Sequence, residues 1–223
     1  MEWVYLEETD STNRVAKELA RQGAPHGTAV LADRQTAGRG RLGRQFFSPE
    51  GGLYLSVILR PKCPAEDLAL MTPQAAVAVC RALEDTLGIS PGIKWVNDLY
   101  LQGKKLCGIL CEMAGDAVIV GIGLNLYTPA GGFPTELNAV ALDVPVACRS
   151  LAEAIVERLL QPAAFLEEYR RRSLLVGKAV TVYPVAGEPF AALAVDIDQR
   201  CRLVVEHDGV RETLDSGEVS VRF

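Results

Sequence analysis

The amino-acid sequence predicts an α+β protein: a mixed β-sheet flanked by helices, followed by a small all-β barrel. Three observations carry that prediction. Short apolar strand patterns alternate with amphipathic helical patterns through roughly the first 175 residues. From Gly177 the texture changes to short strand-like pieces joined by Gly and Asp turns. The length of 223 residues, with 49% apolar and 23% charged, is enough for one large domain and a small appendage, each with a core.

A first strand is predicted over Trp3–Leu6, then a helix through DSTNRVAKELARQG. In that helix Val15, Ala16, Leu19 and Ala20 share an apolar face, and Gly23 lies past its end. Thr28–Ala32 reads as a buried strand feeding a glycine-rich loop, and LYLSVILR as a second strand beyond an SPEGG turn. A long helical pattern runs from Pro64 to Leu87, starting at or kinked by Pro73. Strands follow at IKW, LYLQ, KLCGILCEM and AVIVGIGLNL, separated by Asn-Asp, Gly-Lys and Gly-Asp turns. Helical patterns return at SLAEAIVERLL and FLEEYRRRS. The pieces GKAVTVYP, PFAALAVDID, CRLVVEHDG, VRETLDS and EVSVRF form the barrel of about five strands, which places a domain boundary near Leu175–Gly177.

Bulk properties exclude several classes. A net charge of −5 argues against a broad nucleic-acid surface. No apolar run is long enough to span a bilayer, and the opening MEWVYLEETDST has no signal-peptide pattern, so a cytoplasmic protein with no membrane partner is expected. The six cysteines are scattered and form no CxxC, and the two histidines are remote from Cys107 and Cys111. Small buried apolar residues are therefore the better reading of the cysteines than metal ligands. His26 and His207, in turn-like contexts, give no support for a Ser–His–Asp or Cys–His machine.

The chemistry concentrates in four clusters. Gln35–Arg44 reads QTAGRGRLGR, alternating Gly38, Gly40 and Gly43 with Arg39, Arg41 and Arg44. Glycine permits close backbone approach but makes a free segment costly to order. Arginine brings a donor fork that fits phosphate or carboxylate. Such a loop is expected to be poorly ordered when empty and to close over an anion. Ser11, Thr12 and Asn13 precede the first helix, either as its N-cap or as holders of a polar ligand at its N-terminus; pattern favours the cap. In KWVND and GKKLCGIL, Lys105 faces inward if strand alternation holds there, and could stabilise charge on a reacting phosphorus. GIGLN at Gly121–Asn125 lacks the third glycine and following helix of a dinucleotide fingerprint.

Taken in order, STN, QTAGRGRLGR, F-SPEGGLYLS, KWVNDLYLQGKKLCGIL and GIGLN resemble the biotin–protein ligase family, and GEVSVR fits the family's C-terminal barrel. The resemblance covers nearly the whole chain. It implies a class II synthetase-like catalytic fold over residues 1–175 and an SH3-like barrel over 176–223. It also implies a two-step reaction in which biotin and ATP give biotinyl-5′-AMP and pyrophosphate, and the acyl group passes to a lysine of a biotin carboxyl carrier protein, that of acetyl-CoA carboxylase or a related carboxylase. Matched by position, Ser11, Thr12, Asn13, Gln35, Gly38, Arg39, Gly40, Arg41, Lys105 and Gly108 fall to biotin. Arg41, Arg44, Phe46, Trp95, Asn97, Lys105 and Asn125 fall to ATP and the adenylate, although residue by residue Trp95 reads as core or pocket wall. Asn125 and Asp98 fall to magnesium. Lys105, Arg41 and Arg39 are the catalytic candidates.

The family motif more often has proline where Val96 stands and tryptophan where Phe46 stands. The motifs begin within the first dozen residues, so a dedicated ligase without an N-terminal DNA-binding domain is expected. A homodimer through the sheet edges is compatible with the resemblance. The alternatives are a lipoate or octanoate ligase of the same fold, and a biotin-binding module without catalysis.

Overall fold

The computed structural model describes residues 2–184, 187–215 and, as backbone, 219–222. Its elements run β1 (Trp3–Thr9), α1 (Thr12–Arg21), β2 (Ala29–Gln35), β3 (Gly52–Leu59), α2 (Met71–Leu87), β4 (Gly92–Lys94), β5 (Asp98–Leu101), β6 (Lys104–Ala114) and β7 (Ala117–Asn125). Then come α3 (Cys148–Leu160), α4 (Leu166–Arg171), β8 (Ala179–Pro184), β9 (Phe190–Ile197), β10 (Leu203–His207), β11 (Val210–Leu214) and β12 (Val219–Arg222). A seven-stranded sheet has the order β1-β2-β3-β7-β6-β5-β4. Only β1 and β2 pair in parallel, so the sheet is mixed as expected. The second sheet is five-stranded and antiparallel, ordered β11-β10-β9-β8-β12. Of the GEVSVR motif, Gly217 and Glu218 lie outside the described residues.

Period-2 alternation gives the large sheet two different faces. On one, Leu53, Leu55, Val57, Val118, Val120, Ile122 and Leu124 are buried in the main core with α2 and α3. On the other, Ile58, Ala117 and Ile119 pack with Val30 beneath Ala16 and Ala20 of α1. All eight residues of β3 are buried, because both its faces are covered and both its edges are paired.

Two sequence expectations need correction. The first strand extends three residues beyond Leu6, since β2 keeps supplying main-chain partners as far as Gln35 opposite Thr9. The helix expected from Pro64 is a 3-10 turn over Ala65–Leu70 followed by α2 from Met71. Pro73 neither starts nor kinks α2. It sits in the first turn, where a backbone N–H would have no helical acceptor in any case.

The small sheet is joined to the large one through the turn after β4. The buried Trp95 indole Nε1 donates to Cys201 O at 2.9 Å, and the buried Tyr169 hydroxyl of α4 donates to Val96 O at 2.9 Å. Arg170 Nε adds a bond to Ile197 O at 2.7 Å. Among the described residues, no helix is long and apolar enough to cross a membrane.

Because Val96 O is buried, Tyr169→Phe takes its hydrogen-bond donor away inside the protein. The variant should lose about 1–2 kcal/mol of stability, read as a lowered urea midpoint with an unchanged slope. An unchanged midpoint would show that this link contributes nothing.

Candidate active-site cleft

The cleft is built on two rows of residues that cross β3, β7 and β6 side by side. In one row Ser56 of β3 stands opposite Gly121 of β7, which stands opposite Leu110 of β6. In the next, Tyr54 stands opposite Gly123, and Gly123 opposite Gly108. These are the same-face continuation of Ile58 and Ile119, so the surface that carries α1 continues into the cleft with its side chains removed. A Cβ at Gly121 would collide with Asn13 Oδ1, and one at Gly123 with the Phe46 ring. At Gly108 it would lie 3.0 Å from Phe46 Cε2 and 3.3 Å from Lys105 Nζ. The glycines of GIGLN are thus strand positions that make room for other side chains, and β7 leads into no helix.

The first row holds the N-terminus of α1. Ser11 is the N-cap, one of the three residues expected there, but its side chain makes no capping bond. Instead Gln35 Oε1, from the end of β2, accepts from Thr12 N at 2.8 Å and from Thr12 Oγ1 at 3.1 Å. Ser56 Oγ reaches both Thr12 Oγ1 (2.8 Å) and Asn13 Oδ1 (2.6 Å). Asn13 Nδ2 donates to Glu112 Oε2 at 2.8 Å and to Leu110 O at 3.3 Å. Glu112 also forms an ion pair with Lys17. Ser11, Thr12 and Asn13 are 2%, 4% and 4% exposed, yet all three line the cleft. Buried polar groups in an apolar sheet require partners, and here they form one network.

The second row carries Phe46 and Lys105. Phe46 lies edge-on to Tyr54, with ring centroids 6.5 Å apart, and Lys105 Nζ lies 5.8 Å from the Phe46 centroid. Regular alternation would put Lys105 on the same face as the buried Cys107. A bulge prevents this: Leu99 pairs with Cys107 but Tyr100 pairs with Lys105, leaving Leu106 as an extra residue in β6. The extra residue turns Lys105 onto the Gly108 face, inward as expected but by a different route. Lys105 Nζ lies 2.8 Å from Asp98 Oδ1. This contact is an ion pair, and Lys105 is the partner that the buried Asp98 Oδ1 has there.

The arginine–glycine loop is held by main-chain hydrogen bonds. Gln35 N donates to Ser48 O (3.0 Å), Phe46 N to Gly38 O (2.9 Å) and Gly40 N to Arg44 O (2.7 Å), which makes it a laddered hairpin. Gly38 is required by this ladder, since a Cβ there would strike Phe46 O and Ser48 Oγ. The loop separates the inner cleft, about 360 Å³, from an outer cavity of about 660 Å³. Arg39, Gly40, Arg41 and Arg44 line both. Arg41 Nη1 donates to Asn97 Oδ1 at 3.2 Å, and Asn97 is itself fixed to β6 by Nδ2 donating to Ile109 O at 2.8 Å. Burial pulls the Arg41 guanidinium below its ordinary value, with Arg44 adding to the effect and Asp98 opposing it. A partly desolvated cation of this kind is stabilised by an incoming anion.

Two expected ligand contacts are placed elsewhere. Asn125 is buried, with Nδ2 donating to Val140 O at 3.0 Å and Lys105 O at 3.5 Å, and it is not among the residues lining the cleft. Its side chain ties β7 to the segment that flanks Lys105, which is a structural task. Trp95 likewise is a core residue, with its indole N–H committed to Cys201 O. Asp98 does line the cleft, so the two residues assigned to magnesium are not side by side there. Ser56 and Glu112 are the site residues that sequence reasoning missed. Their signal was a polar residue inside an apolar strand. Among the buried cysteines, burial pushes Cys80 and Cys201 up to about 12 and Cys107 well above its ordinary value, so none is a nucleophile at neutral pH. Among the described residues, no group of three or more His, Cys, Asp or Glu side chains could hold a metal ion.

Comparison with known proteins places this cleft in context. A model described as the biotin/lipoate A/B protein ligase family matches residues 5–125, and one described as the biotin protein ligase C-terminal domain matches residues 175–222. The bifunctional ligase/repressor BirA of Bacillus subtilis is 44% identical over 162 residues, covering 70% of this chain and 48% of that protein. The chain thus spans about half the length of the bifunctional Bacillus relatives that it matches. The biotin–[acetyl-CoA-carboxylase] ligase of Mycobacterium tuberculosis is 32% identical over 232 residues, covering 95% of this chain and 86% of that protein. The biotin protein ligase from Aquifex aeolicus, solved in complex with biotin and ATP, superposes with a TM-score of 0.86 at 31% identity, covering 99% of this chain and 98% of that one.

Burial alone would raise the Glu112 carboxyl, but hydrogen bonds from Lys17 and Asn13, and the Lys17 and Arg39 charges, hold it below its ordinary value of 4.5. A depressed folded value stabilises the protein above the unfolded value and is lost as pH falls through the folded one. The stability difference between wild type and Glu112→Gln, measured by urea unfolding, should be largest at neutral pH and narrow below about pH 4.5. A difference independent of pH would contradict this assignment.

Proposed function

The chain belongs to the biotin/lipoate A/B protein ligase family, and on that premise we propose that it is an ATP-dependent biotin–protein ligase. The biotin carboxylate oxygen attacks the α-phosphorus of ATP, the bond to the β-phosphate breaks, and pyrophosphate leaves. The ε-amine of a carrier lysine then attacks the acyl carbon, AMP departs, and the amine proton is released. The acceptor in this reading is the biotin carboxyl carrier protein of acetyl-CoA carboxylase or a related carboxylase.

The observation that carries biotin over lipoate is the buried polar network at the α1 end of the cleft. Ser11, Thr12 and Asn13 line it at under 5% exposure. A ureido ring can pair with such groups. A lipoyl or octanoyl tail offers no N–H or C=O to the hydroxyl and lone-pair capacity these groups still have after their internal bonds, and hydrogen-bonding sites discriminate well on such differences.

The remaining roles follow from charge. Two anions must be held in line, and their repulsion must be neutralised together with the charge growing on phosphorus. Lys105, on the glycine floor, serves the carboxylate and α-phosphate. Arg39 and Arg41 cover the adenylate from the loop, and Arg44, Phe46 and Asn97 border its nucleotide side. Gln35, Gly38, Gly40 and Gly108 shape the biotin side. The cleft fits a magnesium ion to the extent that Asp98 lines it with a carboxylate, whose Oδ1 is ion-paired with Lys105. Bound with the phosphates, magnesium would add positive charge there, held by Asp98 and phosphate oxygens; Asn125 is not part of that set. We read residues 1–175 as the catalytic unit and 176–223 as a second unit, in keeping with the change of sheet at β8. A cytoplasmic setting suits a reaction that consumes ATP. The outer edge of β1, with Tyr5 exposed, is the edge through which two copies could pair.

Purified protein should release pyrophosphate with biotin and ATP, and then label a carrier domain. Activity with lipoate or octanoate but not biotin would overturn the substrate, and biotin uptake without pyrophosphate would leave only a binding module.

Lys105→Ala and Arg41→Ala should each lower adenylation by at least about a hundredfold while far-UV circular dichroism and thermal midpoint stay near wild type. Near-normal turnover in both would remove these residues from the mechanism.

A further inference from the structure

Asn13 is held with one polarity. An amide presents an acceptor at Oδ1 and two donors at Nδ2, and the two ends are distinguished by their partners. Glu112 Oε2, a carboxylate oxygen, can only accept, and it lies 2.8 Å from Asn13 Nδ2. The second Nδ2 proton goes to Leu110 O, the longer bond at 3.3 Å. Oδ1 is the atom beside Ser56 Oγ at 2.6 Å. Both donors of Asn13 are therefore spent inside the protein, and what it can still offer the cleft is a lone pair. Glu112 is in turn held by Lys17, whose ammonium pairs with its other oxygen.

Resting on the biotin reading above, we infer that Glu112 is a positioning residue: held by Lys17, it fixes the Asn13 amide so that the pocket presents an acceptor there. The cleft thereby selects ligands with an N–H donor at that point, such as a cyclic urea, over ligands that offer only acceptors or apolar atoms. Glu112 does this without touching the ligand. It lines the outer cavity, on the far side of the loop.

The test uses the isosteric variant Glu112→Gln. A glutamine has a single oxygen, and Lys17, which can only donate, claims it. The nitrogen of the introduced amide then faces Asn13, which turns its own oxygen outward and its donors toward the ligand. KM for biotin should rise about tenfold or more with kcat within about threefold, the size expected when the acceptor facing an N–H donor is replaced by a second donor. Adding Lys17→Met frees the oxygen of the introduced amide to face Asn13, and should return KM to within about threefold of wild type. A merely structural role predicts no such rescue, because the double variant has lost one more polar group. An unchanged KM in Glu112→Gln, or no recovery in the double variant, overturns the proposal.

Side-chain amide exchange provides a readout that needs neither turnover nor a folded Glu112 variant. In wild type both Asn13 Nδ2 protons, identified by their absence from Asn13→Asp, should exchange slowly with solvent; fast exchange overturns the proposal. A wild type that released no pyrophosphate with biotin yet kept slow Asn13 exchange would sink the functional reading and leave the positioning intact.

Discussion

The cleft exists because three Cβ atoms are absent from its floor. Gly108, Gly121 and Gly123 lie on adjacent positions of β6 and β7, and at each a side chain would meet an atom that the site needs. The face beneath α1 is apolar, and the floor is its direct continuation along the same strands. One change of residue size, from Ile119 to Gly121 and Gly123, converts a helix-packing surface into a ligand-sized space. The first glycine row makes room for Asn13 and thus sets where α1 begins. The second makes room for Phe46 and Lys105, and thus sets how low the arginine loop can sit.

The walls over that floor converge on the turn between β4 and β5. Asn97 fastens the turn to β6 and receives Arg41 from the loop, and Asp98 faces Lys105. Trp95 and Val96, the two residues before them, are bonded to Cys201 of the small sheet and Tyr169 of α4. A single four-residue stretch therefore connects the loop, the floor lysine and the C-terminal unit. This gives the small sheet a physical connection to the cleft, since anything that shifts the Cys201 carbonyl acts on the segment that holds Arg41.

The strands, the helices and the change of texture at Gly177 are legible in the sequence, because periodicity and turn residues are local properties. What the sequence conceals are consequences of register. Simple alternation puts Lys105 on the face of Cys107, whereas the bulge at Leu106 turns it onto the cleft face, and a bulge leaves no mark in a run such as KKLCGIL. An N-cap among Ser11, Thr12 and Asn13 is legible and falls to Ser11, but the side chain that bonds the helix end is Gln35, which β2 brings there. Ser56 and Glu112 stand alone inside apolar strands and form no motif. Only the fold shows that both reach Asn13. Asn125 and Trp95 fall to the nucleotide through the family resemblance, and the bonds that occupy their side chains cannot be read from it.

The order in the arginine loop changes what a lid has to do. A glycine-rich segment that was free when empty would lose backbone entropy on closing, which weakens binding. Four main-chain bonds between Gln35 and Ser48 hold the loop as a hairpin, so much of this ordering is supplied by the chain's own partners. Under the proposed function, closure needs mainly side-chain movement: Arg41 taking up phosphate, and Lys105 exchanging Asp98 for a carboxylate. The first adds a charged contact, and the second trades one ion pair for another. The three arginines divide accordingly. Arg44 closes the hairpin with its main chain, Arg39 lies within the field of Glu112, and Arg41, partly desolvated and anchored by Asn97, is the one whose charge gains most from an anion in the cleft. Under the proposed function, gripping therefore falls to Arg41, and the glycines around it serve the hairpin as much as the ligand.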